Sequence, residues 1–186
     1  MCATGNAEKF RIAKMAFADV GVELEQAVLD IDEIQGENAD LIVRDKVAKA
    51  FSILKEPVIV TDDFWNIPAL NGFPGPYMKS MNHWFEPSDF LELMSAKKDR
   101  SVIIEQNLAY TDGGEIVIFR KQIPGVFAKS ARGKTGPPIM HVVELEGDNG
   151  LTIAELFDKG LAERQGADRD AWRDAAEWFA RKENLL

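Results

Sequence analysis

The sequence predicts an α/β fold with a mixed, twisted central sheet flanked by helices. Three observations lead to this prediction. Short apolar runs alternate with helix-period segments early in the chain, two longer strand patterns flank a turn signal in the middle, and a helical pattern comes last. Strands that alternate with helices pair in parallel, whereas strands joined by a tight turn pair antiparallel. Both kinds of pairing are therefore expected in one sheet.

Apolar periodicity and turn residues define the elements of the first part. Gly5 and Asn6 interrupt a very short strand, and Asn6 is a plausible N-cap for the helix that follows. Gly21 stands where a C-cap glycine is expected. The predicted elements are a strand over 1–4, a helix from 7 that ends before Gly21, a strand over 22–29, a helix over 39–54 and a strand over 57–61.

Turn signals define the rest. Asp112-Gly113-Gly114 separates two strand-like runs and is a hairpin signal. Residues 71–77 and 130–138 form loops rich in glycine and proline. The predicted elements are a helix over 87–96, strands over 102–111, 115–120, 123–128 and 139–145, a short helix over 158–165 and a last helix over 168–183.

The composition is that of an ordinary globular protein. With 186 residues, of which 46% are hydrophobic and 28% charged, a single domain over 1–186 is expected. The only cysteine, Cys2, excludes a disulfide framework and a cysteine-based zinc site. The net charge of −9 argues against binding a nucleic acid polymer. Neither a membrane span nor a signal peptide is recognisable, so a cytoplasmic protein without membrane contact is expected.

The turn Thr4-Gly5-Asn6 is a candidate anion site. The start of a helix offers unpaired N–H groups and a positive dipole end, and glycine lets the backbone approach a phosphate. Lys9 lies one turn into the helix and could reach the same anion. The alternative is a plain Asn N-cap beside a solvated lysine, and the turn alone does not decide between the two.

Asp62 and Asp63 follow the apolar strand and are candidate metal ligands. Adjacent carboxylates at a strand end could hold Mg²⁺ or orient a water molecule. The alternative is a turn in which the two side chains cap nearby backbone N–H groups.

Other charged residues are ambiguous by spacing alone. Glu33 and Glu37 precede the second helix, where they either bind a metal or favour helix entry. Lys46 lies at the edge of the apolar face of that helix, and it either reaches a ligand or snorkels to solvent. His83 and His141 show no metal-ligand spacing.

Taken in order, these segments resemble the inosine triphosphate pyrophosphatase family of non-canonical purine nucleoside triphosphate pyrophosphatases. Any one of them is weak, but five in the correct order are specific. The resemblance covers roughly residues 1–160 and is strongest over 1–80. The matching segments are 4–9 (TGNAEK), 33–37 (EIQGE), Lys46, 60–63 (VTDD) and 70–79 (LNGFPGPYMK).

The resemblance implies two lobes with a nucleotide cleft between them, a homodimer, and Mg²⁺-dependent hydrolysis of a nucleoside triphosphate to a monophosphate and pyrophosphate. The residues that it assigns to catalysis are Asp62, Lys9 and Lys46. Those that it assigns to the metal are Glu33 and Asp62. Those that it assigns to substrate binding are Thr4, Gly5, Asn6, Lys9, Lys46, Asp63, Lys79, Met140, His141 and Arg164.

The chain departs from the family pattern at several positions. The family has an acidic residue directly before the position of Asp62, but this chain has Thr61 there. Met140 stands where a base-stacking aromatic residue is expected, and His141 where an aspartate reads the base edge. Arg164 takes the place of a lysine, and the family's late histidine has no counterpart. Because base discrimination depends on buried donors and acceptors at fixed places, we predict a base preference different from inosine or xanthine.

Three hypotheses follow from these residues. The first is a Mg²⁺-dependent nucleoside triphosphate pyrophosphohydrolase. The second is a catalytically silent relative that only binds a nucleotide, which Thr61 and the lost histidine motivate. The third is a partner-binding module that uses the aromatic residues around Trp84. Turnover that depends on Asp62 separates the first from the others, and a nucleotide-induced thermal shift separates the second from the third.

Overall fold

A computed structural model describes residues 1–162 and 171–185 of the protein. Its centre is a seven-stranded sheet with the order β2-β1-β3-β5-β6-β7, and β4 pairs with β3 off this path. The strands are β1 (Cys2–Ala3), β2 (Gln26–Ala27), β3 (Val58–Asn66), β4 (Pro74–Gly75), β5 (Ser101–Thr111), β6 (Ile116–Phe127) and β7 (Val143–Leu145).

The helices of the described residues carry the remaining regular structure. They are α1 (Ala7–Ala18), α2 (Ala39–Leu54), α3 (Met78–Trp84), α4 (Pro87–Leu93), α5 (Ile153–Asp158) and α6 (Ala171–Lys182). Short 3-10 helices occupy Pro68–Leu70 and Pro138–His141. No helix in the described part of the chain is both long and apolar enough to cross a membrane.

The sheet is mixed, as the sequence predicts. Strand β1 pairs in parallel with both β2 and β3. Strand β4 pairs antiparallel with β3, and β7 pairs antiparallel with β6. The predicted α/β class is therefore confirmed.

The chain divides into two compact units. The described residues of the first unit are 1–62, 106–121 and 171–185, and those of the second are 63–105 and 122–162. Whether the chain is one functional domain over 1–186 stays a prediction.

In the first unit, alternate residues of the strands pack into two different apolar clusters. Cys2 and Ile59 pack with α1 and α6, whereas their neighbours Ala3 and Val60 pack with α2. Since successive side chains of a strand point to opposite faces, helices cover both faces of the sheet here. Burial raises the pKa of the Cys2 thiol to about 12, so Cys2 is an inert core residue.

The second unit has its own apolar core. Its cluster joins α4, the start of β5 and the segment around the second 3-10 helix, and it includes Phe90, Met94, Val102, Ile139 and Val142. Arg100 ties this core together, because its guanidinium donates to the carbonyl oxygens of Met94, Phe127 and Ala128 at 3.1, 3.1 and 2.7 Å.

Strand β3 is longer than predicted. The prediction that it ends at Asp62 and Asp63 is wrong, because it continues to Asn66. The extension has its own partner, since Trp65 and Asn66 pair with Gly75 and Pro74 of β4. Both aspartates therefore lie within a strand.

Strand β2 is shorter than predicted. The prediction covers 22–29, but only Gln26 and Ala27 form a ladder. Their partner β1 is two residues long, because the chain turns into α1 directly after Thr4-Gly5-Asn6. A strand pairs only as far as its neighbour extends.

Two further predictions near the chain's middle and end differ from the structure, and some short helices were not predicted. Residues 139–145 form a 3-10 helix that starts at Pro138, and only then β7, since proline cannot donate to a ladder. Helix α5 (Ile153–Asp158) was not predicted, and residues 159–161 of the helix predicted over 158–165 are not helical, with Gly160 at φ +63°. Residues 163–165 of that prediction lie outside the described residues. Helix α3 was not predicted, although it buries Met78 and Met81 one turn apart.

Arg132 and the capping box of α5 fix the loop before the second 3-10 helix. Arg132 pairs with Glu144 at 2.8 Å and with Glu155 at 3.0 Å. Glu155 also accepts from the Thr152 N–H at 2.9 Å. The Thr152 hydrogen bond, together with Arg132, holds the pKa of Glu155 below its usual value of 4.5. A carboxyl with a lowered folded-state pKa stabilises the fold above its unfolded pKa, and that contribution is lost as the pH falls.

We expect Glu155→Gln to lower the free energy of unfolding at pH 7 by on the order of 1 kcal/mol, because it weakens charge-assisted hydrogen bonds. The difference from wild type should shrink between pH 6 and pH 3, since protonation below the usual pKa of 4.5 removes the same interaction from the wild type. Urea unfolding at several pH values measures it, with exposed Glu92→Gln as the control. A gap that stays constant with pH would contradict this origin.

Candidate active site

The turn between β1 and α1 carries the first predicted ligands. The Asn6 side-chain oxygen accepts hydrogen bonds from the N–H groups of Glu8 and Lys9 at 3.0 and 3.1 Å. The Asn6 N–H donates to Thr4 Oγ1 at 3.1 Å. Asn6 is therefore an N-cap, as predicted, and two of the amides left over by the first helical turn are already satisfied.

The structure leaves room at Gly5. Among the described residues, a Cβ placed on Gly5 would meet only Val28 Cγ1, at 3.9 Å, which is an ordinary contact distance. By contrast, a Cβ on Gly125 would meet the Glu144 carbonyl oxygen at 2.6 Å. Packing therefore requires glycine at 125 but not at 5. The open side of Gly5 suits the close approach of an anion to the backbone.

Strand register brings this turn to the same edge of the sheet as Asp62. Ala3 of β1 lies opposite Val60 of β3 in the parallel ladder. Since the two strands run in parallel, the turn 4–6 that follows Ala3 and the residues Thr61 and Asp62 that follow Val60 leave this pair in the same direction. The predicted phosphate turn and the predicted metal ligand therefore lie at the same edge of the first unit.

Asp62 lies on the face of β3 that helix α2 covers. Side chains alternate along a strand, so Asp62 shares its face with Val60. Val60 belongs to one packed cluster with Val43 and Val47 of α2. Lys46 lies three residues after Val43 and four before Ala50, which pack in the same cluster, so the helix presents Lys46 near the sheet face that carries Asp62.

Lys46 joins the acidic loop to β3. Its Nζ pairs with Glu33 Oε1 at 2.6 Å and donates to the Thr61 carbonyl oxygen at 3.1 Å. The Lys46 side chain is only 16% exposed, so it does not snorkel freely into solvent. Because Asp62 follows Thr61 along the strand, the structure brings three predicted residues together: Glu33, Lys46 and the strand position of Asp62.

A second lysine holds the same loop. Lys49 Nζ donates to the Asp32 carbonyl oxygen at 2.7 Å and pairs with Asp45 at 2.7 Å. The loop is thus tied to α2 at Asp32 and at Glu33, two successive residues. Lys49 was not among the predicted residues, although its spacing of three from Lys46 on one helix was an available signal.

Thr61 provides a buried hydroxyl where the resemblance predicts an acid. Its side chain is 3% exposed, and Oγ1 has no hydrogen-bond partner among the residues the structure describes. A hydroxyl carries no charge, so it adds no carboxylate to Glu33 and Asp62. In keeping with this, residues 1–162 and 171–185 contain no group of three or more His, Cys, Asp or Glu side chains that could hold a metal ion.

The second unit carries the other predicted substrate ligands. Asp63 is half-buried on β3, and Lys79 is exposed in the first turn of α3. Met140 and His141 belong to the second 3-10 helix. Arg164 lies outside the described residues. The roles of these residues in binding stay predictions.

Met140 and His141 contact the loop of their own unit. His141 Nδ1 lies 3.1 Å from the Gly133 carbonyl oxygen, and Nε2 lies 3.2 Å from that of Gly136. A Cβ on Gly136 would lie 2.7 Å from Met140 Sδ, so Met140 closely covers that glycine. Both side chains therefore help to fix residues 133–136, a role that sequence analysis did not predict.

Comparison with solved structures shows the fold. A HAM1 protein from Coxiella burnetii superposes with a TM-score of 0.73 at 20% identity, covering 97% of each chain. The Ham1 protein of Staphylococcus aureus superposes with a TM-score of 0.71 at 20% identity, covering 100% of this chain and 98% of that one.

Curated relatives are closer in sequence. A dITP/XTP pyrophosphatase of Methanopyrus kandleri is 34% identical over 155 residues, 83% of this chain and 82% of the relative. A dITP/XTP pyrophosphatase of Methanosarcina mazei is 30% identical over 177 residues, 95% and 94% of the two chains. Inosine triphosphate pyrophosphatase 2 of Trypanosoma cruzi is 31% identical over 157 residues, 84% and 80% of the two. The Ham1 family model matches residues 1–163, which confirms the resemblance, and this chain belongs to the Ham1 family.

Proposed function

We propose that this protein is a Mg²⁺-dependent nucleoside triphosphate pyrophosphohydrolase, which uses water to convert a nucleoside triphosphate into a monophosphate and pyrophosphate. The observation that carries the proposal is the ion pair between Lys46 and Glu33 beside the strand position of Asp62. In this proposal the Lys46 ammonium binds phosphates, and the carboxylates of Glu33 and Asp62 bind a metal. Membership of the Ham1 family, with relatives named dITP/XTP pyrophosphatase, supports the same reaction class.

The oxygen atoms around Lys46 fit a hard divalent cation. The Glu33 carboxylate and the Thr61 carbonyl already contact one positive group, the Lys46 ammonium. Mg²⁺ keeps several waters and binds proteins through one or two carboxylates plus substrate phosphates, so Glu33 and Asp62 suffice as its protein ligands. When bound, Mg²⁺ would neutralise phosphate charge and acidify a coordinated water.

The chain's own residues would do the remaining work. The turn Thr4-Gly5-Asn6 and the amines of Lys9 and Lys46 bind and orient the phosphates. Asp62 orients the attacking water and accepts its proton as the bridge between the α and β phosphates breaks. The leaving pyrophosphate carries the released negative charge, which the two lysines offset.

The base preference is proposed to differ from inosine and xanthine. Support comes from Met140 and His141, the positions that the resemblance assigns to the base. Both contact residues 133–136 of their own loop, and His141 places each ring nitrogen near a backbone carbonyl. A homodimer and a cytoplasmic location are further proposals, which rest on the resemblance and on the composition.

We expect Asp62→Asn to reduce pyrophosphate release by at least about 100-fold, since the amide cannot accept the proton of the attacking water. Steady-state release with Mg²⁺ measures it, and exposed Asp19→Asn, in the same unit, controls for the lost charge. Equal turnover in Asp62→Asn and wild type would contradict the assigned role. A wild type that shows a nucleotide-induced thermal shift without turnover would indicate the silent binding protein instead.

We expect Gly5→Ala to raise KM for the nucleotide by about tenfold, because the new methyl group occupies the side where an anion approaches the backbone. Its free energy of unfolding should stay within about 1 kcal/mol of wild type, since the nearest contact of the Cβ is ordinary. Gly114→Ala, whose Cβ would lie 3.4 Å from Asp112 Oδ1 in the hairpin turn, is the matched control. An unchanged KM would place the phosphates elsewhere.

We expect the nucleotide with the highest kcat/KM to carry a base other than hypoxanthine or xanthine. A panel of canonical and modified nucleoside triphosphates, in ribo and deoxy forms, measures this. The physical reason is that a site without the family's base-edge aspartate loses its hydrogen-bond discrimination. Inosine or xanthosine triphosphate as the best substrate would show that the base preference is unaltered, while leaving the proposed reaction class intact.

A further inference from the structure

The ammonium of Lys46 contacts one of the carboxylates that are proposed to hold the metal. It lies 2.6 Å from Glu33 Oε1 and 3.1 Å from the Thr61 carbonyl oxygen, and the strand continues directly into Asp62. One positive charge thus contacts one of the two carboxylates that are proposed to bind Mg²⁺. Since like charges repel strongly at short range in a partly buried site, Lys46 and a divalent cation compete for Glu33.

We propose that Lys46 occupies the cation position of the nucleotide-free protein, so that the metal binds tightly only together with the nucleotide. The inference rests on the proposed function and adds an order of binding to it. In the absence of nucleotide, Lys46 neutralises Glu33 and disfavours metal entry. The phosphates of an arriving nucleotide give Lys46 another anionic partner, and Glu33 then becomes available to the metal that accompanies those phosphates.

The geometry permits this exchange of partners. Lysine is a compact charge on a flexible four-carbon stem, so its amine can change partners while α2 stays in place. The helix itself is anchored by Val43, Val47 and Ala50, which are fully buried. The loop keeps a second tie to the helix, because Lys49 Nζ donates to the Asp32 carbonyl oxygen. Glu33 therefore stays near its position when Lys46 leaves it.

The test is binding of Mn²⁺ alone, as a spectroscopic substitute for Mg²⁺, to the nucleotide-free protein. Electron paramagnetic resonance of free Mn²⁺ gives the dissociation constant without any turnover. We expect Lys46→Gln to bind Mn²⁺ about tenfold more tightly than wild type, because the competing charge is gone. Lys46→Met, which keeps the apolar stem, should do the same if the glutamine variant folds poorly.

Two controls isolate the position of the charge. Lys46→Arg keeps a cation beside Glu33 and should bind Mn²⁺ within about twofold of wild type. Lys14→Gln removes one exposed positive charge elsewhere in the same unit, and it should also stay within about twofold. Tight binding by the Lys14 variant would show a general effect of net charge and overturn the inference.

The inference is also overturned if Lys46→Gln and Lys46→Met bind Mn²⁺ no more tightly than wild type does. The proposed function is judged separately, by Mg²⁺-dependent pyrophosphate release from wild type and its loss in Asp62→Asn. If wild type releases pyrophosphate but the Lys46 variants bind Mn²⁺ no more tightly than wild type, only the proposed order of binding is rejected. Absence of turnover rejects the function, whatever the metal affinities are.

Discussion

The contact between Lys46 and Glu33 is the interaction on which the candidate site depends. Glu33 belongs to an irregular segment between a two-residue strand and α2, so the backbone ladder contributes little to its position. Helix α2 positions it instead, through Lys46 on the side chain and Lys49 on the preceding carbonyl. The position of the Glu33 carboxylate thus depends on how α2 packs on the sheet. The small and branched residues Val43, Val47 and Ala50 fix that packing.

The parallel pairing of β1 with β3 is the second constraint. A chain that leaves β1 enters the turn at Gly5 and begins α1 at the same sheet edge where β3 presents Asp62. The turn after β1 and Asp62 are therefore brought to one sheet edge by one register, and α2 adds Lys46 with its partner Glu33. Phosphoryl chemistry needs this combination, because positioning and charge neutralisation account for most of its catalysis.

Local signals made the helices of the first unit predictable. Asn6 and Asn38 cap α1 and α2 through their side chains, and the bounds of α2 agree with its apolar periodicity. The extension of β3 was not predictable in the same way. Its partner β4 consists of Pro74 and Gly75, residue types that normally argue against a strand, and the pairing depends on chain folding rather than on local preference.

The site shows the same division. The motifs identified Glu33, Lys46 and Asp62 as candidate site residues. Their spacing in the sequence could not predict that Lys46 contacts the Thr61 carbonyl oxygen. His141 shows the same limit. The resemblance assigns it to the base, which stays a prediction, and no local pattern encodes the contacts of its two ring nitrogens with the carbonyl oxygens of Gly133 and Gly136.

Phosphorus-31 NMR of a nucleoside triphosphate incubated with the protein and Mg²⁺ tests the central claim most directly, because it identifies the bond that breaks. We predict that the resonances of a nucleoside monophosphate and of pyrophosphate grow together from the start, in equal amounts, and that they fail to appear with Asp62→Asn. A nucleoside diphosphate accumulating with orthophosphate would show cleavage at the terminal phosphate, and it would contradict the assignment of this site to pyrophosphate release.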